Sequence, residues 1–437
     1  MLKNNNNNNN RNFNIDKFYK DYLKGPKIFK KRDALEPSFI PEELPHRDRE
    51  IQMVAELTAC ALMGDAPPNF LCYGMTGTGK TASIRYVSEK LAQQSLENKP
   101  WWIYINCNII STSYRTLAHI YNTIIGKEKI PPTGLPKDTI FKRLLGLLDQ
   151  KVRNSICFFV LDEIDMLKNN LDEVLYDLTR LNDSLDYCKT SLIGISNNLN
   201  FKDSLDPRVK SSLGKEHIVF SSYNASQLKD ILSERAKIAF YDGVLREDVI
   251  PFCAALAAKE HGDARKALQL LRKAGTIAQR RQNKMIIGKH VEEGQIELDD
   301  DQIIEYIKGL PIQAQLTLTA IFLLSKFGPE HVITSGDVYD VHSELANRIP
   351  NVKVLTKRRI SDYINELAMA GIITAYTKSA GHYGRTKIIK LDNGIELILL
   401  EKILANIEKI KDLITYKPIL LQSNKVRLKN NVFKKLI

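Results

Sequence analysis

The sequence predicts an α/β core built on a parallel sheet, then an all-helical domain, then a C-terminal winged helix-turn-helix. Three observations carry that expectation. A glycine-rich loop at 74–81 sits between a short apolar strand and a helix. Apolar strands and helices alternate from Phe70 to about Tyr223, the pattern of a parallel sheet with helical crossovers. Three helical patterns and then two strands occupy 312 to about 391.

Residues 1–38 are poorly patterned, with an Asn run at 4–10 and Lys-rich stretches such as Lys27 to Arg32, a low-complexity composition that carries no assigned role. The core spans 39–223. Pro41 to Arg49 leads into an amphipathic helix near 48–63, and Phe70-Leu71-Cys72-Tyr73 is the first strand. It runs into Gly74-Met75-Thr76-Gly77-Thr78-Gly79-Lys80-Thr81 and then Ala82, the spacing G-x-x-x-x-G-K-[ST]. Glycines let backbone N–H groups turn inward around an anion. Lys80 would reach the β- and γ-phosphates, the Thr81 hydroxyl would hold Mg²⁺, and the helix from Thr81 to Gln93 would point its N-terminus at the phosphates. A nucleoside triphosphate is the expected ligand.

The second strand lies near 101–105 and the third near 156–161, and the long gap between them leaves room for helices at Thr112 to Ile125 and Pro136 to Val152. The third strand ends in Asp162-Glu163-Ile164-Asp165. Phosphoryl transfer asks for charge neutralisation and a positioned water, so Asp162 is the metal residue and Glu163 the catalytic base. The fourth strand, 191–196, ends at Asn197, whose amide would orient that water; a loop cap by Asn197 or Asn198 is the alternative. Arg208, in Asp206-Pro207-Arg208-Val209-Lys210, would stabilise transition-state charge in this subunit or a neighbour, or else pair with Asp203 or Asp206.

Residues 224–300 read as helices at 226–240, 246–260 and 263–282 and a polar, Gly-containing connector at 282–301. Arg265 opens the third helix and would reach the γ-phosphate across the cleft. In the last domain, 301–437, helices are expected at 312–327, 335–346 and 356–370, the last beginning Lys357-Arg358-Arg359 after the cap Thr356. Three cations there oppose the helix dipole, a placement expected only where phosphates offset the cost. The hairpin after that helix carries Lys378, Gly381, His382, Tyr383, Gly384, Arg385, Lys387 and Lys390, so helix and wing would meet duplex DNA, with Arg385 in a minor groove.

Bulk properties agree. The 437-residue chain is 43% apolar with a net charge of +12. Residues 351–437 hold 17 Lys and Arg against 7 Asp and Glu, so most of the excess lies at one end, as a polyanion-binding module would have it. No apolar run has the length of a transmembrane helix, and no signal-peptide core opens the sequence, so no membrane partner and a cytoplasmic, nucleoid-associated location are expected. The six cysteines form no C-x-x-C pair and read as reduced thiols.

From Pro41 to Leu391 the chain resembles the archaeal replication initiators of the origin-recognition/cell-division-control type, members of the AAA+ class. The resemblance rests on Gly74 to Thr81, Leu161 to Asp165, Gly194-Ile195-Ser196-Asn197, Leu205 to Leu213, Gly262-Asp263-Ala264-Arg265, Leu355 to Asp362 and Gly381 to Lys387. It implies an AAA+ P-loop core with a helical lid, a slow ATPase that works as an ATP/ADP switch, origin duplex DNA as ligand, and recruitment of a minichromosome-maintenance-type helicase, with other initiator paralogues as further partners. Asn197 would be sensor 1, Arg265 sensor 2 and Arg208 the trans-acting arginine. His46 and Arg47 would lie near the adenine, and the helical element after Asn106 would be a second DNA contact. The Asn run and the basic tail after about 420 depart from the family pattern. A branch-migration motor, or a DNA-binding regulator with a degenerate nucleotide site, are the competing readings; intact Lys80, Thr81, Asp162 and Glu163 oppose the regulator.

Overall fold

A computed structural model describes residues 25–94, 99–127, 129–131, 133–328, 332–379, 385–392 and 394–422. The chain divides into two compact units, the first ending at Gly294 and the second beginning at Gln295.

The first unit is built on five strands: β1 (Phe70–Tyr73), β2 (Trp101–Asn106), β3 (Ile156–Asp162), β4 (Lys189–Ser196) and β5 (His217–Val219). Their order is β2-β3-β4-β1-β5 and every pair is parallel. Alternate residues of the central strands feed different cores. Phe158 and Val160 pack with Phe70, Cys72, Ile84 and Ile193, while Cys157, Phe159 and Leu161 pack with Leu71, Ile103 and Leu192. Both faces are therefore covered, which is why these strands read as unbroken apolar runs. Trp102 stacks on Phe158 at 4.1 Å between centroids. Gly194 has no room for a side chain, since a Cβ there would lie 2.5 Å from Leu71 Cδ2.

Helices α1 (Asp48–Thr58) and α2 (Lys80–Gln94) flank β1, and α3 (Ser113–Ile125) and α4 (Lys137–Lys151) fill the long β2–β3 crossover. The Thr112 hydroxyl accepts the Arg115 N–H to start α3, and Gly126, at φ +72, ends it. This insertion is tied to α5 (Leu171–Thr179) by Lys137, whose ammonium bonds Glu173 at 2.5 Å and Asp177 at 2.6 Å. A short helix α6 (Pro207–Ser212) precedes β5, and α7 (Ala225–Ala239), α8 (Val249–Lys259) and α9 (Ala264–Arg280) form the helical domain.

Two segments differ from expectation. The polar stretch taken as a connector over 282–301 is helical from Gly288, as part of α10 (Gly288–Gly309). Its buried apolar residues, Val291 and Ile307, are far apart and Ile296 is exposed, so no apolar stripe announces the helix. Residues 28–38 of the poorly patterned segment, with 39 and 40 after them, are packed onto the helical domain. Ile28 and Leu35 are fully buried, and Phe29 stacks on Phe240 at 5.0 Å. Arg235 donates to the carbonyls of Ala34 at 3.1 Å and Phe39 at 2.8 Å.

The second unit holds α11 (Ile312–Phe327), β6 (Ile333–Thr334), α12 (Ser335–Ala346), α13 (Lys357–Met369), β7 (Ile373–Ser379), β8 (Arg385–Leu391), α14 (Leu397–Ala405) and α15 (Ile419–Gln422). The strands form an antiparallel sheet ordered β6-β8-β7. With α11, α12 and α13 they make a winged helix, sealed by Leu318, Phe322, Val341, Ile360, Ile364 and Leu367. The unit thus owns a separate core. A fragment covering Gln295–Ile437 should fold cooperatively by itself. Ile364→Ala, which empties a fully buried site, should cost it about 2–5 kcal/mol in urea titration, and the absence of a cooperative transition in the parent fragment would refute the claim.

Candidate nucleotide site and DNA-binding surface

The β1–α2 turn is shaped by Gly74, Gly77 and Gly79, with φ of +156°, +70° and +89°. At Gly77 a Cβ would fall 1.7 Å from Asp263 Oδ1, so only glycine fits. The Thr81 hydroxyl donates to Asp162 Oδ2 at 2.9 Å. This brings together the two proposed metal residues, which lie at the start of α2 and the end of β3. Glu163 follows at φ +55°, a left-handed conformation uncommon for a non-glycine residue, and its N–H donates to Asp162 Oδ1 at 3.0 Å. Strained backbone of this kind clusters at working sites.

Lys80 Nζ donates to Gly74 O at 2.7 Å, Met75 O at 2.8 Å and Asn197 Oδ1 at 3.0 Å. Burial, and next the charge of Arg265, pull its pKa down to about 8, with Asp162 opposing them. Asn197 therefore faces the loop, whereas Asn198 is exposed and its carbonyl amide oxygen accepts the Asn200 N–H, so it is Asn198 that caps the turn. Asp165, given no role from sequence, fixes the tip of β4 by accepting from Ser196 Oγ at 2.9 Å and Asn197 N at 3.2 Å.

Beside the loop lies a cavity of about 890 Å³, lined by Gly77, Gly79, Thr81, Ala82, Asp162 and Arg265 on its polar side and by Ile40, Pro41, Ile231, Ile238 and Leu268 on its apolar side. Arg265 sits in the first turn of α9, whose cap Asp263 accepts from the Arg265 and Lys266 N–H groups at 2.7 and 3.2 Å. The Ala264 N–H donates to Gly77 O at 3.2 Å, which joins this helix to the loop. Sequence reasoning missed Ile40, Pro41, Ile231 and Ile238, because their shared apolar wall forms only on folding.

The two residues expected near the adenine make hydrogen bonds within the protein. His46 Nε2 bonds Asp230 Oδ2 at 2.9 Å. Arg47 is buried and bound to backbone carbonyls, and Pro45 instead lines the cavity. Arg208 is exposed and pairs with Asp206, at 3.2 Å from Nε to Oδ1, so the local salt bridge forms with Asp206.

In the winged helix, Lys357, Arg358 and Arg359 are exposed at the start of α13, where Thr356 accepts the Arg359 N–H at 3.4 Å. Arg359 Nη1 lies 3.8 Å from Asp362. Lys390 is exposed, but Lys387 Nζ donates to Ser361 Oγ at 2.7 Å and Asn365 Oδ1 at 2.6 Å. Lys387 therefore braces β8 against α13. Gly381, His382, Tyr383 and Gly384 lie outside the described residues, as does the side chain of Arg385.

Three family models match the chain: an AAA domain over 65–200, a Cdc6 AAA+ ATPase-type lid domain over 229–296 and a CDC6 C-terminal winged helix domain over 305–400. An ORC1-type DNA replication protein of Pyrococcus abyssi is 49% identical over 384 residues, covering 87% of this chain and 91% of the relative. One from Methanosarcina acetivorans is 43% identical over 408 residues, covering 92% and 97%. The chain belongs to the ORC1-type DNA replication proteins. Among solved structures, the Aeropyrum pernix ORC1 protein in complex with DNA superposes with a TM-score of 0.78 at 41% identity, over 88% of this chain and 99% of that one. The chain thus has the family's nucleotide-binding ATPase domain, lid and winged helix. Among the described residues no helix is long and apolar enough to cross a membrane.

The pKa of Lys80 has a measurable consequence. Phosphates would stabilise its charged form, so between about 8 and the higher bound-state pKa the complex holds more protons than the free protein. ADP affinity should be flat below pH 8 and fall above it, by at most about tenfold per pH unit for one proton. Calorimetry at pH 9 in buffers of different ionisation heat should show proton uptake; equal affinity at pH 7.5 and 9.5 would count against it.

Proposed function

We propose that this chain is a replication initiator that binds origin duplex DNA under the control of bound ATP or ADP and recruits the replicative minichromosome-maintenance-type helicase. The Thr81–Asp162 contact at the mouth of the glycine loop, with Lys80, Glu163 and Asn197 around it, is the observation that carries the nucleotide half. The DNA half is supported by the exposed cations at the start of α13 and by the DNA complex of the Aeropyrum pernix relative.

A hydroxyl and a carboxylate in contact suit a hard cation held otherwise by water and phosphate oxygens, so Thr81 and Asp162 would hold Mg²⁺. That ion would offset phosphate charge when bound. The N–H groups of 74–82 cradle the phosphates, Lys80 leaves its loop carbonyls for them, and Glu163 accepts the proton of a water that Asn197 orients. Arg265 neutralises charge at the γ-phosphate from α9, which makes the lid sensitive to ATP against ADP. Arg208 is held only by a surface ion pair, a weak restraint that a neighbouring subunit's nucleotide can displace. Turnover is slow because the cycle serves as a switch. The insertion α3–α4 supplies a second DNA contact, and other initiator paralogues share the origin.

Lys80→Ala should abolish ATP binding, whereas Glu163→Gln should retain it and lower turnover by about a hundredfold or more. Equal loss of binding in both variants, measured by nucleotide titration, would remove the division of roles.

On DNA, Lys390→Ala should weaken cognate and scrambled duplexes alike and lower the salt slope by about 0.9, as expected for one lost phosphate contact. Lys387→Ala should leave the slope unchanged and loosen the wing, and Arg385→Ala should cost more on the cognate repeat. Competition binding at two salt concentrations measures all three; no preference for origin repeats in the parent protein would overturn the initiator reading.

A further inference from the structure

Arg47 has more partners than the nucleotide chemistry above requires. It is 3% exposed, and its N–H groups reach four acceptors. Nε donates to Thr78 O at 2.8 Å and Nη2 to Ser221 O at 2.5 Å, while Nη1 meets His46 O at 3.3 Å and Glu50 Oε1 at 3.2 Å. The guanidinium lies 3.8 Å from the centroid of the Tyr223 ring, a favourable stacking distance for a cation on an aromatic face.

Two of those acceptors belong to parts with separate tasks. Thr78 is in the glycine loop, and Ser221 is in the segment that leads from β5 to α7, the first lid helix. The Thr78–Gly79 peptide is trans, so its C=O and N–H point in opposite directions. A donor that grips the Thr78 oxygen from outside the loop turns the Gly79 N–H inward, toward the phosphates. The hinge presses on the same glycine: a Cβ at Gly79 would lie 2.9 Å from the Tyr223 hydroxyl. It also presses on the start of the sensor helix, since a Cβ at Gly262 would lie 2.2 Å from Tyr223 O.

We infer that Arg47 is a positioning residue that couples phosphate recognition to the lid, its planar fork fixing the Gly79 N–H and the Ser221–Tyr223 hinge at the same time. This rests on reading 74–81 as the phosphate loop. A lysine would carry the charge but not the fork, because its donors radiate from one nitrogen, whereas the guanidinium reaches Thr78 O and Ser221 O from two separate nitrogens, Nε and Nη2.

The test is Arg47→Lys in the full chain, titrated with ADP and with adenosine in competition with a fluorescent ADP analogue. ADP affinity should fall about tenfold or more, with adenosine changed by less than about twofold, because only the diphosphate uses the Gly79 N–H. Hydrogen exchange at 221–224 should slow on ADP binding in the parent and not in the variant. Equal losses for both ligands, or an unchanged ADP affinity, overturn the coupling. Tyr223→Leu removes the ring beneath the guanidinium and should give the same selective loss; if Arg47→Lys does not fold, this variant decides, and no selective loss refutes the proposal. Lys80→Ala measured alongside separates the two ideas. If it leaves ADP affinity intact, the phosphate-loop reading falls and the coupling with it; if it abolishes binding while Arg47→Lys leaves ADP affinity unchanged, only the coupling falls.

Discussion

A loop that turns its N–H groups inward must turn its carbonyls outward, and buried carbonyls need donors. This constraint organises the whole nucleotide-binding unit. Gly74 O and Met75 O take the Lys80 ammonium, Met75 O also takes the Thr78 hydroxyl, and Thr78 O takes Arg47. Gly77 O takes the Ala264 N–H and Gly79 O the Ser83 N–H. The donors come from α2, from the segment before α1 and from α9 of the lid. Two regions distant in sequence, the segment before α1 and the start of α9, are thus held to one eight-residue turn by its own need for hydrogen bonds. The lid is joined to the loop at the backbone level, so the position of Arg265 follows from the loop's conformation as well as from any phosphate it meets.

The polar strand tips obey a second rule of the parallel sheet. β1, β3 and β4 are adjacent and point the same way, so the residues following them converge at one edge. Thr81, Asp162, Glu163 and Asn197 are spread over more than a hundred positions of sequence and meet there because strand direction leaves them no alternative. Asp165 completes the arrangement by tying the β4 tip to the turn after β3. The second unit solves a different problem. Its core is filled from α11, α12 and α13, which leaves the first turn of α13 to carry three exposed cations, two of them lying over the rings of Tyr339 and Tyr363.

The fold and most of the site were legible because they are written in local patterns. The five strands are short apolar runs, the glycine loop is contiguous, and each polar tip follows its strand directly. What was not legible depends on residues that meet only in space. The apolar wall of the cavity joins Ile40 and Pro41 to Ile231, Ile238 and Leu268 across most of the unit. The packing of 28–40 relies on irregularly spaced Ile28, Phe29 and Leu35, interrupted by Lys and Arg that mask their periodicity. Helix α10 reads as a connector in the sequence because its glycines and acidic run hide two widely separated buried residues. Arg47 and Lys387 show the same limit for charge. From sequence each is a cation free to meet a ligand, and only the structure shows one buried among carbonyls and the other bound to Ser361 and Asn365.

The charge balance of the loop explains why it suits a polyanion. Lys80 is desolvated and hydrogen-bonded to three neutral oxygens, while the nearby carboxylate, Asp162, accepts a neutral hydroxyl from Thr81. Arg265 adds a second positive charge close enough to lower the Lys80 pKa. Had Asp162 been paired directly with Lys80, both charges would have been satisfied and a phosphate would have to break an ion pair to bind. Instead the cation is held by weaker partners that can be exchanged, and the carboxylate is reserved beside a hydroxyl where a divalent ion would be coordinated. The arrangement leaves the attraction for phosphate unspent until a nucleotide arrives, which is what preorganised electrostatic recognition requires. Arg265 stands at the start of a lid helix, so a phosphate bound at the loop would offset the repulsion between it and Lys80.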